Sequence, residues 1–169
     1  VTATARVRAD DETTVAEYRI KAAFMLKFLA FVTWPAAAER PDAPVVIGVL
    51  GSSSLGDALQ QAAAGRPVRG HPVQVRTLRD DESPSGLQML FVGRAANARV
   101  TAVAAAAERQ SMLLVTESDS GLTLGADVNF VVVDDKVRFD IALRPAERAG
   151  LKISARLLAV ARNVLPGSP

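Results

Sequence analysis

The chain has 169 residues, 49% of them hydrophobic and 22% charged, with no cysteine and a formal net charge of +2. That length and composition suit one domain with its own core and exclude disordered, collagen-like and disulfide-framed chains. Twenty basic residues against 18 acidic ones leave no electrostatic footprint for nucleic acid, so no nucleic-acid partner is expected.

The stretch Val1–Asp10 lacks the apolar core of a signal peptide, and residues 1–12 read as a flexible lead-in. Thr14-Val15-Ala16-Glu17 has the form of a helix capping box. Apolar residues then recur at helical spacing: Tyr18, Ala22, Met25, Leu29 and Val32, with Ile20, Phe24, Phe28 and Phe31 beside them. A helix apolar over so much of its circumference is expected to be covered on two sides, by a sheet and by a second helix or subunit. Its longest apolar stretch, Ala22–Trp34, contains Lys27 and falls short of the roughly 20 residues that span a bilayer. Trp34-Pro35 is expected to end the helix, because the residue before proline avoids helical torsions. Ala36–Pro44 is a Pro- and Ala-rich connector.

The period then changes. Val45–Leu50 is a continuous apolar run, as in a strand buried on both faces. A Gly51–Gly56 loop, a helix over Asp57–Ala64 closed by Gly65, and a strand around Val73 and Val75 follow. A polar loop, Asp80–Gly86, leads to a strand at Gln88–Val92, a helix at Ala98–Arg109 and a strand at Met112–Thr116. Asp127–Val133 and Val137–Leu143, joined by Asp134-Asp135-Lys136, read as an antiparallel hairpin. Pro145 opens a helical turn that Gly150 closes, and Ser154 caps a last helix over Ala155–Val164. The order predicts an α/β layered domain: a mixed, partly parallel sheet of about six strands, flanked by helices, after a long N-terminal helix.

Catalytic constellations are missing. The one histidine, His71, lies on a Gly70-His71-Pro72 turn, where a general base or metal ligand would need partners that the sequence does not supply. Asp80, Asp81 and Glu82 form an acidic loop whose ordinary state is solvated. There is no Gly-x-Ser-x-Gly and no paired-histidine or cysteine motif. Neither a cofactor nor a metal is expected, and a binding or regulatory protein is a better class than an enzyme. The best small-molecule candidate is the loop bearing Gly51, Ser52, Ser54 and Gly56, which follows a buried strand and enters a helix. Its ordinary reading is a turn with Ser54 as the helix cap. Tyr18, Phe24, Phe28, Phe31 and Trp34 hold five of the eight aromatic residues. They are either core or a dimerising face.

Two blocks resemble the YfiR-like family. The first runs Lys21-Ala22-Ala23-Phe24 through Phe28, Phe31 and Val32 to Trp34-Pro35. The second comprises Asn129-Phe130, Val137-Arg138-Phe139-Asp140-Ile141 and Ala149-Gly150-Leu151-Lys152-Ile153-Ser154-Ala155-Arg156-Leu157-Leu158. The likeness covers residues 16–165 and implies a single domain of this kind over 13–165. It further implies a periplasmic, non-enzymatic repressor that binds the periplasmic domain of a YfiN-type inner-membrane diguanylate cyclase. Such a repressor holds down cyclic-di-GMP synthesis and biofilm formation, is sequestered by an outer-membrane lipoprotein, and forms a homodimer. It does not itself span the membrane, and its signal peptide is removed. Leu87 stands where many members carry cysteine, and with no cysteine in the chain a redox switch through its own thiols is excluded.

The candidate partner surface is the C-terminal block. Arg148, Lys152 and Arg156 could face an acidic partner, with Ser154 among them and Ile153 and Leu157 as anchors. The same features fit an ordinary terminal helix with a solvated basic face. The alternative function is a periplasmic small-molecule sensor, using the Gly51–Gly56 loop or a cleft at the carboxyl ends of the strands.

Overall fold

The structure, a computed structural model, describes the backbone of residues 2–35 and 43–167, and side chains from residue 13 onward. The lead-in expected at residues 1–12 and most of the Ala36–Pro44 connector fall outside the fully described residues. Helix α1 (Thr2–Phe31) has described side chains over 19 residues. Thr13 and Thr14 are already helical, so the expected capping box lies inside the helix and Thr14 is no cap.

The sheet has seven strands: β2 (Val45–Leu50), β3 (Val73–Thr77), β4 (Met89–Val92), β5 (Leu113–Thr116), β6 (Val128–Val133), β7 (Lys136–Ala142) and β9 (Asn163–Leu165). Their spatial order is β3-β2-β4-β5-β6-β7-β9. All neighbours run parallel except the β6–β7 hairpin. Val133 pairs with Lys136 across the turn. Asp134 and Asp135 both adopt positive φ there, 51° and 63°, as a turn that matches the twist of the flanking strands requires.

Alternating side chains of the central strands feed two cores. Ile47, Val49, Met89, Phe91, Leu113 and Val115 pack under α1 and α2 (Ser53–Ala63). Leu50, Leu90, Val92 and Leu114 pack on the other face with Val100, Val103 and Ala107 of α3 (Val100–Gln110). The result is three layers, helix–sheet–helix, as the continuous apolar strands demand. Phe24 and Phe28 of α1 stack among Phe130 and Phe139 of the hairpin, with ring centroids 5.1–6.4 Å apart, so these aromatics belong to the core. Ile20 departs from the expected stripe and is exposed.

Several boundaries differ from expectation. First, α1 stops at Phe31, because the β-branched pair Val32-Thr33 forms strand β1 (Val32–Thr33) against β8 (Lys152–Ile153). Second, α2 begins at Ser53, and its cap is Ser52, whose Oγ accepts the Leu55 N–H at 3.2 Å; Ser54 lies inside the helix. Third, α5 (Ala155–Val160) is shorter than expected. Ala161 is extended, and Arg162 grips Asp140 through two hydrogen bonds of 2.9 and 2.6 Å. That grip draws residues 163–165 onto β7 as a seventh strand in place of a helix. Ser154 does cap α5, its Oγ accepting the Arg156 N–H at 3.2 Å, and α4 (Leu143–Arg148) is closed by Gly150 at φ +79°. Ahead of α3, residues Arg94–Arg99 form a 3-10 turn where helix was expected from Ala98.

Candidate functional site

Between β2 and β4 the strand order reverses, the place where open α/β sheets present a crevice at their carboxyl edge. Here the crevice is closed. The Gly93 N–H donates to the Leu50 carbonyl at 2.7 Å, and a Cβ on Gly51 would come within 2.6 Å of the Ala96 methyl. Of the loop residues singled out from the sequence, Gly51 and Ser52 are half-buried at this edge, Ser54 is exposed and Gly56 is buried within α2. The Ser52 Oγ accepts the helix-cap hydrogen bond, and its hydroxyl also hydrogen-bonds Tyr18.

The carboxyl edge instead carries a buried ion cluster. Glu117, just past β5, is 4% exposed. Its Oε1 accepts from Lys21 Nζ at 2.8 Å, and its Oε2 accepts the Tyr18 hydroxyl at 3.2 Å and the Arg94 N–H at 3.0 Å. The Arg94 guanidinium donates to the Glu117 carbonyl at 3.0 Å. Lys21 is 1% exposed and makes a second ion pair, 2.7 Å, with Glu17 one turn earlier on α1. Its ammonium also lies 4.9 Å from the centre of the Tyr18 ring.

Burial works against the Lys21 ammonium, yet its hydrogen bonds to Glu117 and Glu17 prevail and hold its pKa above the usual lysine value. Burial, reinforced by the Glu117 charge, pushes the Tyr18 hydroxyl up. Sequence reasoning placed Tyr18 on this face but missed Lys21 and Glu117. The available signal was the Glu17–Lys21 spacing of four, with Lys21 between Tyr18 and Met25 on the apolar stripe.

Beside the cluster lies a cleft of about 450 Å³, lined by Lys21, Arg94, Glu117, Asn129, Asp140 and Arg162 among others. Asn129 accepts the Thr116 hydroxyl at 2.7 Å. Gly121 packs so tightly on these two side chains that a Cβ there would overlap both. The Ser118 hydroxyl, buried nearby, has no hydrogen-bond partner among the described residues.

The C-terminal block occupies the far end of α1. Through β1–β8, Val32 pairs with Ile153 and Thr33 with Lys152, and the Ser154 N–H donates to the Phe31 carbonyl at 2.9 Å. Lys152 and Arg156 are exposed, Ile153 and Ser154 half-buried, and Leu157 is a core residue. Arg148 is exposed but paired with Glu108 at 3.3 Å. The same segment ends in Val160, Val164 and Leu165, which are 58%, 37% and 49% exposed.

Trp34 is buried, and its Nε1 donates to the Gln88 carbonyl at 2.9 Å. Phe31 is half-buried against the core. Among the described residues the His71 ring reaches the Ala43 carbonyl, 2.9 Å from its Nδ1. In the acidic loop, Glu82 pairs with Arg76 at 2.7 Å.

A comparison with family profiles matches residues 18–162 to the YfiR/HmsC-like description. The chain belongs to the YfiR/HmsC-like family. The family is a regulatory one. Among the described residues no helix is long and apolar enough to cross a membrane. Among curated proteins none matches the chain.

Several solved structures share the fold, two of which illustrate it. One is a conserved domain protein from Vibrio cholerae O1 biovar El Tor, at a TM-score of 0.55 and 15% identity over 70% of this chain and 54% of that one. The other is the ABC domain in complex with L-Trp from Streptococcus pneumonia, at a TM-score of 0.51 and 13% identity over 72% of this chain and 55% of that one. The chain thus spans about half the length of the solved structures it matches.

Proposed function

We propose that this protein is a periplasmic negative regulator. It binds the periplasmic domain of a YfiN-type inner-membrane diguanylate cyclase and holds down cyclic-di-GMP synthesis, and with it biofilm formation. The observation that carries the reading is the C-terminal segment. In a chain of this family, exposed basic side chains, Lys152 and Arg156, sit in one segment with the exposed apolar residues Val160, Val164 and Leu165. A contact surface needs an apolar patch for affinity and charge for orientation. Arg148, Ile153, Ser154 and Leu157 complete this surface or support it from beneath.

Repression then follows from differential binding. A regulator that prefers the inactive conformation of the cyclase shifts the population toward it by no more than that preference. An outer-membrane lipoprotein competing for the regulator would relieve repression by mass action, and a homodimer would present two such surfaces.

The test is titration calorimetry of the protein against the isolated periplasmic domain of the cyclase. Saturable binding with one site per chain supports the reading, and Arg156→Glu should weaken it about tenfold without lowering the melting temperature. Absence of heat at tens of micromolar, with both proteins folded, overturns it. The cleft of about 450 Å³ beside Lys21 and Glu117 favours a second reading, a small-molecule sensor in the periplasm. A melting temperature that rises with one member of a nucleotide and amino-acid panel would mark it.

A further inference from the structure

A second cleft, of about 210 Å³, opens between α3 and α4. Ala104, Ala107, Leu124, Pro145 and Ala149 give it apolar walls. Asp127, the residue ahead of β6, lines it and is only 3% exposed. One of its carboxylate oxygens, Oδ2, accepts the Leu114 N–H at 2.7 Å. The other has no hydrogen-bond partner among the described residues.

Two further charged residues line the cleft, Glu108 from α3 and Arg148 from α4. They pair with each other at 3.3 Å, with side chains 41% and 51% exposed. The arginine that lines the cleft is therefore committed to a different carboxylate. Burial pushes the Asp127 carboxyl up to about 7; the Leu114 N–H draws it down, Glu108 adds to the rise, and Arg148 opposes it. A buried carboxylate in an apolar cleft, short of donors, is a place where a cation gains more than it would at the surface.

We propose that this cleft binds a small aliphatic amine, its ammonium group seated on Asp127 and its methylene stem along the alanine walls. An anion would meet two carboxylates, and a neutral ligand would bring no charge to favour the ionised form of Asp127 over its protonated form. The volume is below that of a cleft for drug-sized ligands and suits a stem of a few methylenes. Glu108 provides a second carboxylate once an ammonium displaces Arg148 from it, so a diamine should bind more tightly than a monoamine. Near neutral pH and below, the incoming ammonium takes the place of the proton on Asp127, which leaves to solvent. This inference does not depend on the partner surface.

The experiment follows the Asp127 carboxyl carbon by NMR in the intact chain across a pH series. The series is run in the absence and presence of n-butylamine or 1,4-diaminobutane, with sodium chloride matching the ionic strength. The expected result is a saturable response and about a tenfold drop in the proton affinity of Asp127. Calorimetry in two buffers should show proton release. Glu108→Gln should remove the advantage of the diamine, and Asp127→Asn, which keeps a carbonyl acceptor for the Leu114 N–H, should abolish binding. An Asp127 signal that titrates identically with and without amine overturns the inference, as does undiminished binding to Asp127→Asn. The wild-type signal decides the matter even where a variant fails to fold.

Discussion

Replacing Glu117 by glutamine removes the hub of the buried cluster while conserving shape. The amide keeps one acceptor oxygen, so it cannot serve the Lys21 ammonium at 2.8 Å, the Tyr18 hydroxyl at 3.2 Å and the Arg94 N–H at 3.0 Å together as a carboxylate does. Its NH₂ must also point a donor at one of these donors. Lys21, 1% exposed, keeps only Glu17. Breaking one side of a buried ion pair costs about 3–5 kcal/mol, against about 5–15 kcal/mol of total stability for a domain.

Lys21→Met should cost a similar amount, because it leaves Glu117 buried beside Tyr18 with no cation of its own. The combination Lys21→Met with Glu117→Gln removes both charges, and its cost should fall about 2 kcal/mol or more short of the sum of the single substitutions. Urea unfolding followed by the fluorescence of Trp34, the one tryptophan and a buried one, measures all four proteins. The slope with denaturant should stay unchanged. Additive costs, or a loss below about 1 kcal/mol for Glu117→Gln, would refute the argument that the pair is buried and coupled.

The folded-state pKa of Asp127 is raised from 3.8 to about 7. Its contribution to stability is therefore complete below the unfolded value and is lost as pH rises through about 7. Relative to Asp127→Asn, the wild type should lose about 2 kcal/mol between pH 5 and 7, and parallel melting curves for the two proteins would contradict this. Asp135→Gly relieves a positive φ of 63° in the β6–β7 turn and should raise stability by about 1 kcal/mol; a lower urea midpoint would count against the turn assignment. Gly121→Ala drives a methyl into Thr116 and Asn129 and should cost about 1–3 kcal/mol, read by the same unfolding assay. A neutral result there would mean that the Thr116–Asn129 packing is looser than described.

What the sequence disclosed and what it hid divide along physical lines. The continuous apolar runs of β2, β4 and β5, the Asp134-Asp135 turn and the Ser154 cap depend on local rules, and each was readable. The missed features depend on distant partners. Val32-Thr33 looked like the end of a helix because nothing nearby announces β8, 120 residues later in the chain. Asn163–Leu165 looked helical because the force that straightens it is the Arg162 grip on Asp140 of another strand. Lys21 was invisible for the same reason. A lysine on an apolar face normally extends its ammonium to water, and only Glu117, 96 positions away, makes burial tolerable. The aromatic residues were legible as a group, but the choice between core and dimer face needed Phe130 and Phe139, which claim Phe24 and Phe28 for the core.

The two blocks that carry the family likeness are far apart in sequence, yet helix α1 joins their functions in space. Past its midpoint, Tyr18 and Lys21 hold the carboxyl edge of the sheet through Glu117. At its end, Phe31 and Val32 hold the C-terminal block through Ser154 and Ile153. At 1.5 Å per residue the two anchor points are about 16 Å apart on one rigid rod. The stretch between the two anchor points is also clamped by the phenylalanine stack, so it has little freedom to bend. A movement of Lys21, forced by anything that competes for Glu117, would have to be absorbed by the stack or passed on to β1–β8. Packed cores resist continuous deformation, which favours transmission. A protein with its proposed contact surface at one anchor point of such a rod and its cleft near the other has the mechanical connection that a ligand-responsive regulator needs. Glu117→Gln tests that connection as well as stability: if the rod transmits, the variant should change partner affinity although residue 117 lies outside the contact surface. Unchanged affinity in the folded variant would show that the two ends are independent.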